Sequence, residues 1–410
     1  MAARRRRHLA RVLTGHYHAT QPSHDFASND YLGLARTPPP MPPSVEDAST
    51  SPTLRHGSTG SRLLSGHSPA AAALEAKLAA THGSEAALLF NAGYAANLAV
   101  FSALPAPGDL VLLDEKVHAS VWDGARMAVG RVTLRAGSSG ATIAVRTFRH
   151  GDAADLTRVA TAWRAEERAA GRGASVGEVL VGIESVYSMD GTVAPIAAMV
   201  DAARELGNTW LVVDEAHACG ISGPGGAGKV SELGLEHAPE VLARVCTFGK
   251  AIGCHGAVVL SSAGMRDFMI NYARPLIYST MMGPTAVAAI DAAYTYLQDH
   301  SARLASQLAS LIDIFRRAAA EHIPPLPLVA SETHIQGILV PGNEAVVAAA
   351  RELQRRGFYT LPIRAPTVAP GEERIRVCIH VYNTESAIRE LVQAVGEVVF
   401  MGSQLLQANL

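Results

Sequence analysis

The 410-residue chain lacks the features that mark membrane, nucleic-acid-binding or disulfide-stapled proteins. No apolar run reaches the roughly 18 residues of a spanning helix, and no signal-peptide core follows the start. A soluble, cytoplasmic protein is expected. Charge of one sign is missing too: 35 Lys and Arg stand against 37 Asp and Glu, a net charge of −2, so no nucleic-acid or membrane partner is implied. The four cysteines, Cys219, Cys246, Cys254 and Cys378, lack C-x-x-C spacing and lie among apolar or small residues, so neither a disulfide nor a metal site is expected. No self-similarity appears at periods of roughly 20–50 residues. What is present is 48% hydrophobic residues with 18% charged, enough for a large core and two domains.

Three regions are distinguished. Residues 1–60 read as an arm, with a basic amphipathic start at Arg4-Arg5-Arg6-Arg7 and a proline cluster at Thr37–Pro43 that excludes helix and central strand. The basic start suits a first helix on the protein surface or a mitochondrial presequence. Residues 61–283 alternate short apolar strands, such as Leu110–Leu113 and Val179–Ile183, with alanine-rich helical stretches, which implies an α/β domain with a mainly parallel sheet covered by helices. Residues 284–410 continue as a long helix, stopped at Pro324-Pro325, and a smaller carboxyl-terminal domain. The final Ala408-Asn409-Leu410 is a degenerate form of a peroxisomal tripeptide.

The chemistry centres on Lys250, in Thr247-Phe248-Gly249-Lys250-Ala251-Ile252-Gly253. A lysine is ordinarily a solvated surface cation. Among small and apolar residues it is instead desolvated, which lowers its pKa and leaves amine free to form an imine with an aldehyde. Upstream, Leu211-Val212-Val213 reads as a buried strand that delivers Asp214 to the carboxyl end of the sheet. A buried carboxylate there suits the ring nitrogen of pyridoxal phosphate (PLP). Asp214-Glu215-Ala216-His217 also spells a helicase box, and Gly223–Lys229 most of a phosphate-binding P-loop. The P-loop needs a magnesium-binding hydroxyl after its lysine, and Val230 stands there.

Further segments complete a pattern: Ser28–Leu32, Gly57–Gly66, Asn91–Asn97, His118–Ala125, Tyr187–Gly191 and Pro366–Val368. Together with the Asp214 and Lys250 segments they resemble the α-oxoamine synthases along nearly the whole chain. The resemblance implies a fold type I PLP-dependent transferase, with a mainly parallel seven-stranded sheet and a smaller α+β carboxyl-terminal domain. It makes Lys250 the Schiff-base lysine and α-proton base, and Asp214 the partner of the pyridine nitrogen. His118 would stack on the cofactor ring, with His217 and Ser188 near its phenolic oxygen. Gly93, Tyr94 and Thr247 would hold the phosphate, joined by Thr280 from the neighbouring subunit of a homodimer with a shared active site. Two arginines compete for the substrate carboxylate, Arg364 and Arg376, of which Arg364 is preferred, with Asn29 nearby.

Such enzymes condense an amino acid with an acyl thioester and release carbon dioxide. The stretch Ile270–Thr280 is similar to fungal 8-amino-7-oxononanoate synthases, which use alanine and a pimeloyl thioester to make a biotin precursor. Trp122 and Gly223–Gly228 are as similar to quorum-signal amino-ketone synthases. A secondary-metabolic enzyme that takes a polyketide from an acyl carrier protein would keep the same residues. A non-catalytic partner subunit of a heteromeric synthase would lack the lysine, and Lys250 is present.

Overall fold

The computed structural model describes residues 22–40, 56–136, 142–171, 177–322 and 324–407. The basic start at Arg4–Arg7, the prolines of residues 41–43 and the final tripeptide lie outside the described residues. The chain forms two compact units. The large unit comprises Leu34–Tyr187 and Val193–Ala302, the small unit Met1–Gly33, Ser188–Thr192 and Arg303–Leu410.

The large unit is built on seven strands: β1 (Ala86–Phe90), β2 (Leu110–Asp114), β3 (Ala144–Phe148), β4 (Val179–Glu184), β5 (Thr209–Asp214), β6 (Val241–Thr247) and β7 (Ala257–Ser261). Their spatial order is β1-β7-β6-β5-β4-β2-β3. Strands β2 to β6 pair in parallel, and β7 runs antiparallel to both β1 and β6. Parallel neighbours need crossovers, and helices supply them: α1 (Pro69–Thr81) leads into β1, α2 (Gly93–Ala103) follows it, and α3 (Ala119–Ala136), α4 (Ala153–Ala169) and α5 (Ile196–Leu206) link later strands. Local sequence sets their limits. The Asp152 side chain accepts from the Asp155 N–H to open α4, and Gly207 at φ 60° closes α5.

Strands β1, β2, β4 and β7 read as nearly unbroken apolar runs because both faces are buried, whereas β3, at the sheet edge, carries Arg146 and Thr147 and is mostly half-buried. Val111, Leu113 and Val212 pack on one face with Val100, Phe101 and Val121. Leu110, Leu112, Leu211 and Val213 pack on the other with Trp163 and Met199. Each such buried side chain contributes roughly 1.5–3 kcal/mol, enough to fix which residues stand at the strand ends.

The small unit holds an antiparallel sheet of order β8-β10-β9, from β8 (Ile335–Leu339), β9 (Leu361–Ile363) and β10 (Arg374–Cys378). Helices α8 (Asn343–Arg355) and α9 (Glu385–Gln407) belong to it. Helix α6 is Ala263–Tyr272, and helix α7 (Pro284–Glu321) begins in the large unit and ends in the small one. No described helix is long and apolar enough to cross a membrane.

Candidate active site

The parallel strands deliver polar residues to their carboxyl ends, where open α/β sheets bind ligands. Asp214 ends β5, and Thr247 ends β6, three residues before Lys250. Beyond β6 the chain folds back on itself: the Phe248 N–H donates to the Gly256 carbonyl at 2.9 Å, and the Cys254 N–H to the Phe248 carbonyl at 2.7 Å. Lys250 sits in this turn. Gly253, at φ 68°, lets the turn close, since a Cβ there would lie 2.4 Å from the Ala35 nitrogen. The half-buried Lys250 places its Nζ 2.8 Å from Nε2 of the buried His217.

Asp214 is 6% exposed and well supplied with donors. Its Oδ1 accepts from the Ala216 N–H at 2.9 Å and its Oδ2 from Nδ2 of Asn97 at 2.6 Å. Asn97 also donates to the Ser120 hydroxyl at 3.1 Å. Ser120 in turn meets His118 Nδ1, through its hydroxyl at 2.7 Å and its backbone N–H at 3.2 Å. His118 is exposed, and its ring stands edge-on to Tyr94 at 6.5 Å between centroids. Desolvation holds its imidazole below the usual range; Asp214 opposes the shift and Lys250 adds to it.

Helix α2 begins at Gly93, and its N-cap, Ala92, has no side-chain acceptor. The first-turn N–H groups therefore have no side-chain cap and can receive an anion. A Cβ on Gly93 would lie 3.3 Å from Cβ and 3.4 Å from Oγ1 of Thr247, so glycine keeps the helix start open where the threonine hydroxyl stands. Tyr94 is exposed and donates its hydroxyl to Asp123 Oδ2. Thr280 is exposed in a bridge to Ser61, and its carbonyl accepts from Asn91 Nδ2 at 2.7 Å.

Within the small unit, Arg376 on β10 donates through Nη2 to Asn29 Oδ1 at 3.1 Å and to the Tyr31 hydroxyl at 3.4 Å. The Tyr31 hydroxyl donates to Asn29 Oδ1 at 2.8 Å, and burial raises that phenol above its ordinary range. Asn29 thus pairs with Arg376. Arg364 is half-buried one residue beyond β9. Ser188 is buried in the Ser188–Thr192 segment, where the Gly191 carbonyl accepts from the hydroxyls of Ser331 and Thr333 at 3.1 and 3.0 Å.

Three arrangements escaped the sequence. Asn97 and Ser120 join Asp214 to His118, and only their places inside quoted motifs hinted at it. Glu215, buried completely, accepts from the Lys229 and Val230 N–H groups at 2.6 and 2.8 Å. The glycine-rich Gly223–Lys229 stretch therefore wraps an internal carboxylate, and Gly228 at φ 101° leaves room for it. His82, Cys219 and Cys246, far apart in sequence, bring one ligand-type atom each within 4.8 Å of one another. His82 is engaged at both nitrogens, Nδ1 with the Ala227 carbonyl and Nε2 with the Tyr294 hydroxyl, each at 2.9 Å.

The profile of the aminotransferase class I and II family matches residues 22–395. Among curated proteins, the chain is 38% identical over 388 residues to the 8-amino-7-oxononanoate synthase of Emericella nidulans, covering 90% of this chain and 88% of that one. It is 38% identical over 377 residues to that of Alkalilimnicola ehrlichii, covering 91% and 88%. Among solved structures, a serine palmitoyltransferase from S. paucimobilis with a bound PLP-myriocin aldimine aligns at TM-score 0.78 and 25% identity, over 92% of this chain and 88% of that chain. The fold of 8-amino-7-oxononanoate synthase from Francisella tularensis aligns at TM-score 0.72 and 21% identity, over 92% and 98%.

Proposed function

From the premise that this chain belongs to the aminotransferase class I and II family, and within it to the α-oxoamine synthases, we propose that it joins a small L-amino acid, alanine first, to an acyl thioester. The products are an α-amino ketone, carbon dioxide and the free thiol, with PLP as cofactor. One observation carries this reading: an amine, a carboxylate and an uncapped helix start come together at the carboxyl ends of the strands, as Lys250, Asp214 and Gly93.

The donor set suits PLP. Lys250 offers an amine to its aldehyde, Asp214 a carboxylate to its ring nitrogen, the open face of His118 a surface for the ring, and the N–H groups of Gly93 and Tyr94 with the Thr247 hydroxyl a seat for the phosphate. His217 and Ser188 are assigned to the phenolic oxygen. When bound, PLP supplies an electron sink for the carbanion at the amino acid's α-carbon. Lys250 takes the α-proton from that carbon and returns one after carbon dioxide has left. His217 holds the lysine nitrogen in place between these transfers.

The carboxylate of the amino acid needs a forked cation. The half-buried Arg364 is assigned the carboxylate, and Arg376, which donates through Nη2 to Asn29 and Tyr31, the ordering of Asn29. A homodimer sharing the site is part of the reading. The exposed Leu63 and Leu64, just beyond the Ser61 that bridges Thr280, and the exposed Tyr278, two residues before it, support such a surface.

The test is an absorption spectrum of the purified protein, followed by alanine, glycine and serine in turn and then an acyl-CoA, with products read by mass spectrometry. A visible band that one amino acid shifts, and an amino ketone formed only with the thioester, supports the proposal. A protein that stays colourless with added PLP sinks it, and the non-catalytic subunit takes its place.

A further inference from the structure

We propose that Asn97 is a positioning residue that fixes His118 as a neutral ring with its proton on Nε2, acting through Ser120, while it orients Asp214. The ring state stands on geometry alone; its importance for the cofactor rests on the function proposed above.

Asn97 is 2% exposed on α2, and both of its N–H bonds are spent, one on Asp214 and one on Ser120. The amide cannot be turned over, because its oxygen would then face a carboxylate oxygen at the 2.6 Å now bridged by a proton. That oxygen has no hydrogen-bond partner among the described residues. A buried acceptor left unpaired is costly, so the amide earns its place through its donors.

Direction propagates from there. The Ser120 hydroxyl accepts from Asn97, so its own hydrogen is free for its other partner, Nδ1 of His118 at 2.7 Å. The Ser120 backbone N–H adds a second donor at 3.2 Å. A nitrogen that receives two donors carries no proton, which leaves the proton on Nε2. The charged groups facing the ring are Asp214 and Asp123, which favour the cation, and Lys250, which opposes it; the Tyr94 ring stands edge-on. Desolvation and Lys250 already disfavour the cation, and the Ser120 donors, held in direction by Asn97, add to this by occupying Nδ1.

The isosteric Asn97→Asp reverses the relay: the new acid shares a proton with Asp214 across the 2.6 Å contact, and its remaining lone pairs accept the Ser120 hydrogen and take it from Nδ1. The full-length chain, labelled with 15N in its histidine rings and without added PLP, is titrated by NMR, with His118→Gln identifying the resonances. The expected result is an unprotonated Nδ1 in the wild type and a His118 pKa raised by about one unit or more in Asn97→Asp. If Asn97→Asp fails to fold, Ser120→Ala removes the same donor without touching Asp214 and shifts the pKa in the same direction. A wild-type proton on Nδ1, or an unchanged His118 titration in the folded variants, overturns the proposal. PLP affinity, measured by equilibrium dialysis, should fall on the order of tenfold or more in Asn97→Ala at unchanged circular dichroism. Wild-type protein that binds no PLP would refute the cofactor reading and leave the ring measurement to decide this one.

Discussion

The side-chain nitrogen of Lys250 and Nε2 of His217 meet at 2.8 Å, although the two residues leave the sheet from adjacent strands and lie 33 positions apart. One of the two nitrogens donates and the other accepts, so the contact holds the lysine side chain against the imidazole. On the function proposed above, the contact sets where the amine stands when it takes the α-proton.

Lys250→Ala should remove the visible band, the borohydride-fixed adduct on this segment and turnover together. His217→Ala should keep the adduct and lower kcat on the order of a hundredfold, because the amine is present but misplaced. Mass spectrometry of reduced peptides and steady-state rates read the two apart. An adduct that survives in Lys250→Ala would remove the lysine from the chemistry.

The two arginines are assigned different tasks. Arg364→Lys should raise the KM for the amino acid on the order of tenfold or more, because the fork is lost. Arg376→Lys should also lower stability, by roughly 1–3 kcal/mol, because the half-buried Asn29 and the buried Tyr31 lose the guanidinium donor that reaches both. A large KM effect in Arg376→Lys and none in Arg364→Lys would transfer the carboxylate to Arg376.

Lys250 and Asp214 were legible because each is marked locally, a lysine between glycines and an aspartate at the end of an apolar strand. The parallel body of the sheet was legible for the same reason. The direction of β7 was not, since a strand buried on both faces has the same apolar run whichever way it points. Asn97 with Asp214, and Arg376 with Asn29, join residues 117 and 347 positions apart, and no local pattern encodes such pairs. The glycines of Gly223–Lys229 make no P-loop, because Val230 stands where the hydroxyl is needed; their permissive backbone is real, and what it encloses is the carboxyl of Glu215.

The His82, Cys219 and Cys246 cluster makes a prediction about metals. Both His82 nitrogens are taken by hydrogen bonds, so exhaustive dialysis against a chelator should leave the melting temperature unchanged. The thiols should be slow as well: Cys219, Cys246 and Cys378 are buried, and burial pushes the Cys254 thiol up to about 11. Rapid titration of thiols in the native protein is therefore not expected, whereas all four should react after unfolding. Recovery of one equivalent of zinc, with a stability loss on its removal, would make the cluster a metal site.

Glu215 gives the pH dependence a sign. Burial pushes its carboxyl from 4.5 to about 7, against the opposing pull of the Val230 and Lys229 N–H groups and of Arg244. Between those values the folded state keeps a proton that the unfolded chain has released, so raising the pH through the window favours unfolding. The loss from this group should be on the order of 3 kcal/mol by the time pH exceeds 7. Glu215→Gln cannot ionise, so its denaturant-unfolding free energy should lack this component. The wild-type-minus-variant difference should fall steadily from pH 4.5 to 7.5. The variant need not be the more stable at any pH, because its amide offers a donor where two backbone donors already point. The slope of the difference is the readout, and parallel curves for the two proteins would mean that Glu215 ionises in the folded state as it does in water.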